Sequence, residues 1–211
     1  MSRKTYFKPL LAIALFALSA FSYAAPTPAA PTGFEKATFA GGCFWCMETP
    51  FHGLAGVTSA TSGYTGGTVV DASYEQVSEG GTGHAESVEV VFDPKKISYT
   101  KLLEIFWANI DPTVANRQFC DHGNQYRSAI FTHTPEQAAA ATASKAKWQA
   151  DPRFAGRTVY TEIKPASAFY AAEDYHQNYA QKNPVRYKYY RWNCGRDQRL
   201  EEIWGSAPAH P

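Results

Sequence analysis

Lys36-Ala37-Thr38-Phe39-Ala40-Gly41-Gly42-Cys43-Phe44-Trp45-Cys46-Met47-Glu48 is the stretch on which the reading of this chain turns. Residues 35–40 have β character and residues 44–54 helical character, and two glycines make the turn between them. A cysteine at a strand-to-helix turn meets the backbone N–H groups and dipole of the helix start, which predicts a lowered thiol pKa and an enriched thiolate at Cys43. Phe44 and Trp45 follow at once, so an apolar pocket wall stands beside a nucleophilic sulfur. Cys46 lies one helical turn further, where a second thiol can close a disulfide on the first. A free cysteine is often only a small buried hydrophobe. The turn glycines and the aromatic pair favour chemistry at Cys43 instead.

Outward from this run, strands and helices interleave. Val57 to Gly63 reads as a strand ending in the glycine-rich turn Gly63-Tyr64-Thr65-Gly66-Gly67. Ser87 to Phe92 alternates as a half-buried strand. Ser98 starts a helix through Trp107 that Asp111-Pro112 stops. Arg127 to His133 reads as a strand, and Thr134-Pro135 opens an Ala-rich helix. Thr158 to Ile163 reads as a strand, Phe169 to Lys182 as a helix, and Tyr187 to Arg196 as an aromatic, basic, turn-like region. The order has no strict βαβ period. It predicts an α+β domain, a mixed β-sheet flanked by helices, rather than a doubly wound parallel sheet.

The N-terminus reads as a signal peptide over residues 1–24. Arg3, Lys4 and Lys8 make a basic start, Leu10 to Phe21 is apolar but short for a membrane span, and Ser22-Tyr23-Ala24 is a small-x-small cleavage site. Residues 25–33 form a Pro/Ala linker expected to be mobile. Residues 34–205 suit one catalytic domain, and 206–211 a flexible tail. A periplasmic or secreted location and no stable membrane insertion after cleavage are therefore expected. The formal net charge of +1 gives no reason to expect nucleic acid as a partner. Export permits disulfides, and 4 cysteines are too few to scaffold a domain of this length. A zinc site on all of them is disfavoured, because only Cys43 and Cys46 have C-x-x-C spacing.

Gly81-Thr82-Gly83-His84-Ala85-Glu86 leads from a loop into a strand. A carboxyl entering a sheet near an apolar wall is desolvated, so Glu86 is expected to titrate high and to donate a proton near neutral pH. A strand-edge glutamate facing water is the other reading. His84 could serve as acid or base, or pin the loop. Tyr64, Tyr74 and Tyr126 are hydroxyl donors beside glycine or polar turns. Asp121-His122-Gly123-Asn124-Gln125-Tyr126-Arg127-Ser128 is either a solvated loop or a site wall.

Gly42-Cys43-Phe44-Trp45, Ser62-Gly63-Tyr64-Thr65-Gly66-Gly67, Gly83-His84-Ala85-Glu86, the run 121–128, Ala172-Glu173-Asp174-Tyr175-His176-Gln177 and Lys182-Asn183-Pro184 together resemble, in order and spacing, the motifs of the peptide methionine sulfoxide reductase A family. The resemblance covers residues 35–205. It implies a single domain with a mixed sheet, and reduction of methionine S-sulfoxide, free or in proteins, with no metal or organic cofactor. It implies that Cys43 attacks the sulfoxide sulfur and becomes a sulfenic acid. Glu86 would protonate the oxygen, Tyr74 and Tyr126 would hydrogen-bond it, Asp121 would order the polar side, and Phe44 and Trp45 would hold the substrate methyl. A thioredoxin-like thiol reductant would close the cycle.

Many members of that family have glycine where this chain has Cys46, and resolve the sulfenic acid with a tail cysteine. Two resolving candidates therefore stand, Cys46 and Cys194. Cys194 is the preferred candidate, because Trp45 between the first two cysteines is needed in the pocket. A Cys120–Cys194 bridge is a further possibility.

Overall fold

The structure is a computed structural model that describes residues 25–205. The expected signal peptide, 1–24, and tail, 206–211, lie outside the described residues. In chain order the elements are β1 (Glu35–Gly41), α1 (Phe44–Glu48), β2 (Val57–Thr65), α2 (Tyr74–Glu79), β3 (Ala85–Phe92), α3 (Tyr99–Ala108), β4 (Arg117–Gln118), β5 (Asp121–His122), β6 (Ser128–Thr132), α4 (Pro135–Gln149), β7 (Glu162–Pro165), β8 (Tyr170–Ala171), α5 (Tyr179–Lys182), α6 (Pro184–Asn193) and α7 (Arg196–Trp204).

Six strands form one sheet in the order β7-β6-β1-β3-β2-β8, and β4 and β5 make a separate hairpin. Only β6 and β7 run parallel; the other pairs are antiparallel. The expected mixed sheet with flanking helices is what forms. Side chains alternate across β1: Phe39 stacks on Phe51 at 5.4 Å and on Phe106 of α3 at 5.1 Å, while Ala40 packs with Ala85, Ala129 and Phe131. Burying such a ring contributes about 2–3 kcal/mol, so Phe39 anchors the layer that carries α1 and α3. Helices α3 and α4 start as their sequences dictate: Ser98 accepts from Lys101 N at 3.2 Å, and Thr134 accepts from Gln137 N at 3.2 Å, with Pro135 in the first turn.

Several boundaries differ from expectation. The helix predicted over 44–54 is α1 followed by a 3-10 turn at Thr49–Phe51, since Pro50 cannot supply the N–H that a continued helix needs. The helix predicted over Phe169–Lys182 is mostly absent. Tyr170–Ala171 instead pairs with Gly63–Tyr64, and the Gln177 side chain bonds both the N–H and the carbonyl of Ser62, at 2.9 and 2.8 Å. Tertiary pairing overrides the local preference there. The region read as turn-like, Tyr187–Arg196, is helical in α6 and α7, joined by Cys194 and by Gly195 at φ 63°. The strand predicted over 158–163 begins at Glu162, because Tyr160 N is held by Pro112 O at 2.8 Å. The linker is not free either: Thr27 N bonds Phe169 O at 2.9 Å, and its hydroxyl bonds Glu89 Oε1 at 2.8 Å. Among the described residues no helix is long and apolar enough to cross a membrane.

Candidate active site

Antiparallel pairing brings the end of β1 and the starts of β3 and β6 to one edge of the sheet, with Gly41 opposite Ser128 and Tyr64 opposite Glu86. Cys43 follows β1 directly as the first cap of α1, and its carbonyl accepts from Cys46 N at 3.0 Å and Met47 N at 3.2 Å. Gly42 makes the turn possible. Its φ is 82°, and a Cβ there would stand 2.6 Å from Gln118 Cβ.

Glu86 is 2 % exposed, and its Oε2 accepts the N–H of Phe44 at 3.0 Å. The acid is thereby fastened to the turn that carries Cys43. Burial pushes its pKa up to about 8 against the pull of that N–H, and negative charge at Asp121 and Cys46 adds to the rise. Glu86 therefore keeps its proton near neutral pH. Asp121, in the β4–β5 hairpin, accepts the Tyr190 hydroxyl at 2.7 Å and the backbone N–H of Cys43. Burial raises its pKa, opposed by the Tyr190 bond and the charge of Arg196.

Tyr74 opens α2 through a capping box at Ser73, and its N–H is held by Glu173 Oε1 at 2.9 Å. Its hydroxyl is pushed up to about 12 by burial, then by Glu86 and Cys43. Tyr126 ends a 3-10 turn before β6 and is raised by burial, then by Glu86, Tyr74 and Asp121. Cys43, Glu86, Tyr74, Tyr126 and Asp121 thus bear on one another across one space, and both tyrosines keep their protons. Tyr64 also feels Glu86, but its hydroxyl is engaged elsewhere: it donates to Glu173 Oε2 at 2.9 Å and helps hold α2. His84 pins a loop, through Gly67 N at 3.2 Å and Val69 O at 2.6 Å.

The aromatic pair divides its work. Phe44 is fully buried against Tyr64, Tyr74 and His176, with centroids at 5.8, 6.5 and 5.0 Å, and makes the floor. Trp45 is half-buried, lies flat on Tyr179 at 3.7 Å, meets Tyr190 edge-on at 5.7 Å, and makes the wall. Its Nε1 donates to His176 Nδ1 at 2.9 Å, so the imidazole proton sits on Nε2, a buried atom with no hydrogen-bond partner.

The thiols depart from expectation. Cys43 and Cys46 are both free, 6 % and 1 % exposed, and hydrogen-bonded to each other. Cys43 is raised, by burial first, then by Cys46, Glu86 and Asp121. Cys46 is lowered to about 6, by the bond from Cys43 first and then, against burial, by Arg196 and Arg191. A one-turn helix has too little dipole to offset burial beside two carboxyls, so Cys43 is shifted up where the chain alone predicts a shift down. Cys194 is bridged to Cys120 across 74 residues. The bridge joins two strips that touch at three successive residues: Phe119 lies 4.3 Å from the Arg196 guanidinium, Cys120 binds Cys194, and Asp121 holds Tyr190. The sulfur standing beside Cys43 is Cys46, while Cys194, the resolver preferred from the chain, is held in the bridge to Cys120.

Sequence reasoning assigned no role to His176, Tyr179, Tyr190, Arg191 or Arg196. The motif Glu173-Asp174-Tyr175-His176-Gln177 points to the first; Tyr179 sits in the segment expected to be a helix, and the others in the region that reads as turn-like.

A family model described as peptide methionine sulfoxide reductase matches residues 35–208. The peptide methionine sulfoxide reductase MsrA of Streptococcus pyogenes serotype M5 (strain Manfredo) is 51% identical over 170 residues, which is 81% of this chain and 99% of that protein. Methionine sulfoxide reductase A of Corynebacterium diphtheriae superposes with a TM-score of 0.67 at 35% identity, over 76% of this chain and 83% of that one. Mxr1 from Saccharomyces cerevisiae does so in its reduced form (TM-score 0.69, 33% identity, 75% and 90% coverage) and in complex with Trx2 (TM-score 0.51, 25% identity, 73% and 90% coverage).

Proposed function

The chain belongs to the peptide methionine sulfoxide reductase family, and we propose that it reduces methionine S-sulfoxide, free or in proteins and peptides, with Cys43 as nucleophile and Glu86 as acid. A sulfoxide oxygen leaves poorly until it is protonated. Neutral Glu86 donates that proton while the Tyr74 and Tyr126 hydroxyls bond the oxygen. The Cys43 proton passes along its hydrogen bond to Cys46, and the Cys43 sulfur attacks the sulfoxide sulfur. The oxygen transfers to Cys43, which becomes a sulfenic acid, and the sulfoxide leaves two electrons richer as methionine. Trp45 and Phe44 bound the space for the substrate methyl, and Asp121 orders the polar side.

Cys46 then gives up its proton and attacks the Cys43 sulfur. The Cys43–Cys46 bond forms, the S–O bond breaks, and the leaving hydroxide takes the proton and departs as water. A thioredoxin-like dithiol reduces the disulfide; the Trx2 complex of Mxr1 supports that choice of donor. No metal or organic cofactor is invoked. The reading of residues 1–24 as a signal peptide supports repair of oxidised methionine in the periplasm or outside the cell.

The Phe44–Glu86 hydrogen bond carries the assignment, because it sets a protonated carboxyl beside a cysteine sulfur in a buried, aromatic-walled site. Dabsyl-methionine S- and R-sulfoxides with dithiothreitol test it. Reduction of the S epimer alone, abolished in Cys43→Ser, is expected. Activity surviving Cys43→Ser would end the assignment. Mass mapping of the disulfide after one turnover tests the resolver, and a Cys43–Cys194 link would displace Cys46.

A further inference from the structure

We infer that Arg196 is a positioning residue that acts through Cys46: its buried guanidinium balances the negative charge of the Cys46 sulfur during attack on oxidised Cys43. The inference rests on the reading of Cys46 as resolver.

Among the described residues, Arg127, Arg191 and Arg199 each pair with a carboxylate. Arg196, 2 % exposed, pairs with none. Its Nη2 donates to Asn109 O at 2.7 Å, Gly41 O at 3.2 Å and Met47 Sδ at 3.2 Å, and its Nε has no partner. The guanidinium lies over the Phe119 ring at 4.3 Å. All its contacts are neutral, and a buried cation without a counter-ion is costly to keep.

Its position explains the cost. Gly41 and Met47 bracket the run that holds Cys43 and Cys46, and Nη1 stands 3.6 Å from where a Cβ on Gly42 would be. The titratable groups facing Cys46 are Cys43 in the same run, Glu86 of β3, Tyr179 of α5, Tyr187, Tyr190 and Arg191 of α6, and Arg196 of α7. Of the two cations, Arg191 is matched by Asp197, leaving Arg196 as the one whose charge is not already answered. Asp121 also feels Arg196, but its oxygens are taken by Tyr190 and the Cys43 N–H. The anion that completes the site is the Cys46 thiolate, formed as that sulfur becomes a nucleophile.

The test mixes enzyme with one equivalent of methionine S-sulfoxide and no reductant, from acid to alkaline pH. Methionine release reports the Cys43 step. Loss of dimedone-reactive sulfenic acid, with mapping of the Cys43–Cys46 disulfide, reports the Cys46 step. In Arg196→Met, methionine still forms, but disulfide closure slows about 10–100-fold near neutral pH, and its midpoint moves toward an ordinary thiol value of about 8.5. Arg196→Lys keeps the wild-type midpoint. Closure in Arg196→Met with the wild-type pH profile, or Arg196→Lys behaving as Arg196→Met, would overturn the inference.

Cys46→Ser separates the two readings. If it still forms a disulfide at Cys43, Cys46 is not the resolver. If its sulfenic acid persists while Arg196→Met matches wild type, only the role of Arg196 falls. Should Arg196→Met not fold, Cys43→Ser leaves Cys46 as the one free thiol beside an intact Arg196, and ultraviolet thiolate absorbance follows it. Titration below the ordinary thiol range supports the inference, and titration at or above it overturns it.

Discussion

Trp45 and His176 are joined by a 2.9 Å hydrogen bond from the indole N–H to the imidazole Nδ1, across 131 residues of chain. The bond makes the pocket wall and the segment after β8 one unit. It also chooses the imidazole tautomer, so that the remaining ring N–H is buried beside Phe44 and Tyr74.

Trp45→Phe keeps a ring for the Tyr179 stack but removes the donor. Leaving His176 Nδ1 buried and unpaired is expected to cost about 1–3 kcal/mol in denaturant unfolding and to raise KM more than it lowers kcat.

Glu86→Gln keeps an acceptor for the Phe44 N–H and loses the acid. A fall of about 10²–10⁴ in single-turnover methionine formation is expected. Wild-type activity should decline as pH rises through about 8, where Glu86 ionises, and the variant's residual rate should lack that decline. Stability follows the same sign. The folded pKa lies above the unfolded value, so the Glu86 contribution is full at acid pH and is lost as pH rises toward about 8. Wild-type Tm should fall over that window, and Glu86→Gln should flatten the fall.

Gly42→Ala places a Cβ where φ is 82° and Gln118 Cβ would be only 2.6 Å away. Backbone strain of about 1–3 kcal/mol is expected, with displacement of Cys43. The readouts are thermal unfolding and the rate of methionine release.

Removing the Cys120–Cys194 bridge as the double serine variant should lower stability by about 2–4 kcal/mol, since the bond closes a long loop in the unfolded chain. Dithiothreitol should lower wild-type Tm and leave that of the variant unmoved. One methionine per enzyme should still form without reductant.

Much of this was legible in the chain. The β character of 35–40, the glycine turn at 41–42 and the caps at Ser98 and Thr134 are local signals, and they formed as read; β3 formed where its alternation placed it but is buried on both faces rather than half-buried, because helices and loops cover its second face. Glu86 was legible as a carboxyl at the entry to a strand, which is local, while its burial, which decides between an acid and a water-facing glutamate, is set by packing. The segments 169–182 and 187–196 were misread because nonlocal pairing sets them: Gly63–Tyr64 and Gln177 draw the first into the sheet, while the aromatic spacing of the second concealed helices α6 and α7.

By itself, the sequence determined the mixed α+β architecture and the residues able to do chemistry, because periodicity, turns and side-chain type act over a few residues. Only the tertiary structure decided how the four cysteines divide and which way each free thiol is shifted. Pairing of Cys120 with Cys194, and the placing of Arg196 beside the Cys43–Cys46 turn, join residues that lie 74 and 155 positions apart. A thiol's ionisation follows burial and nearby charge rather than its neighbours in the chain. That is why the expected Cys43 thiolate became a raised Cys43 beside a lowered Cys46.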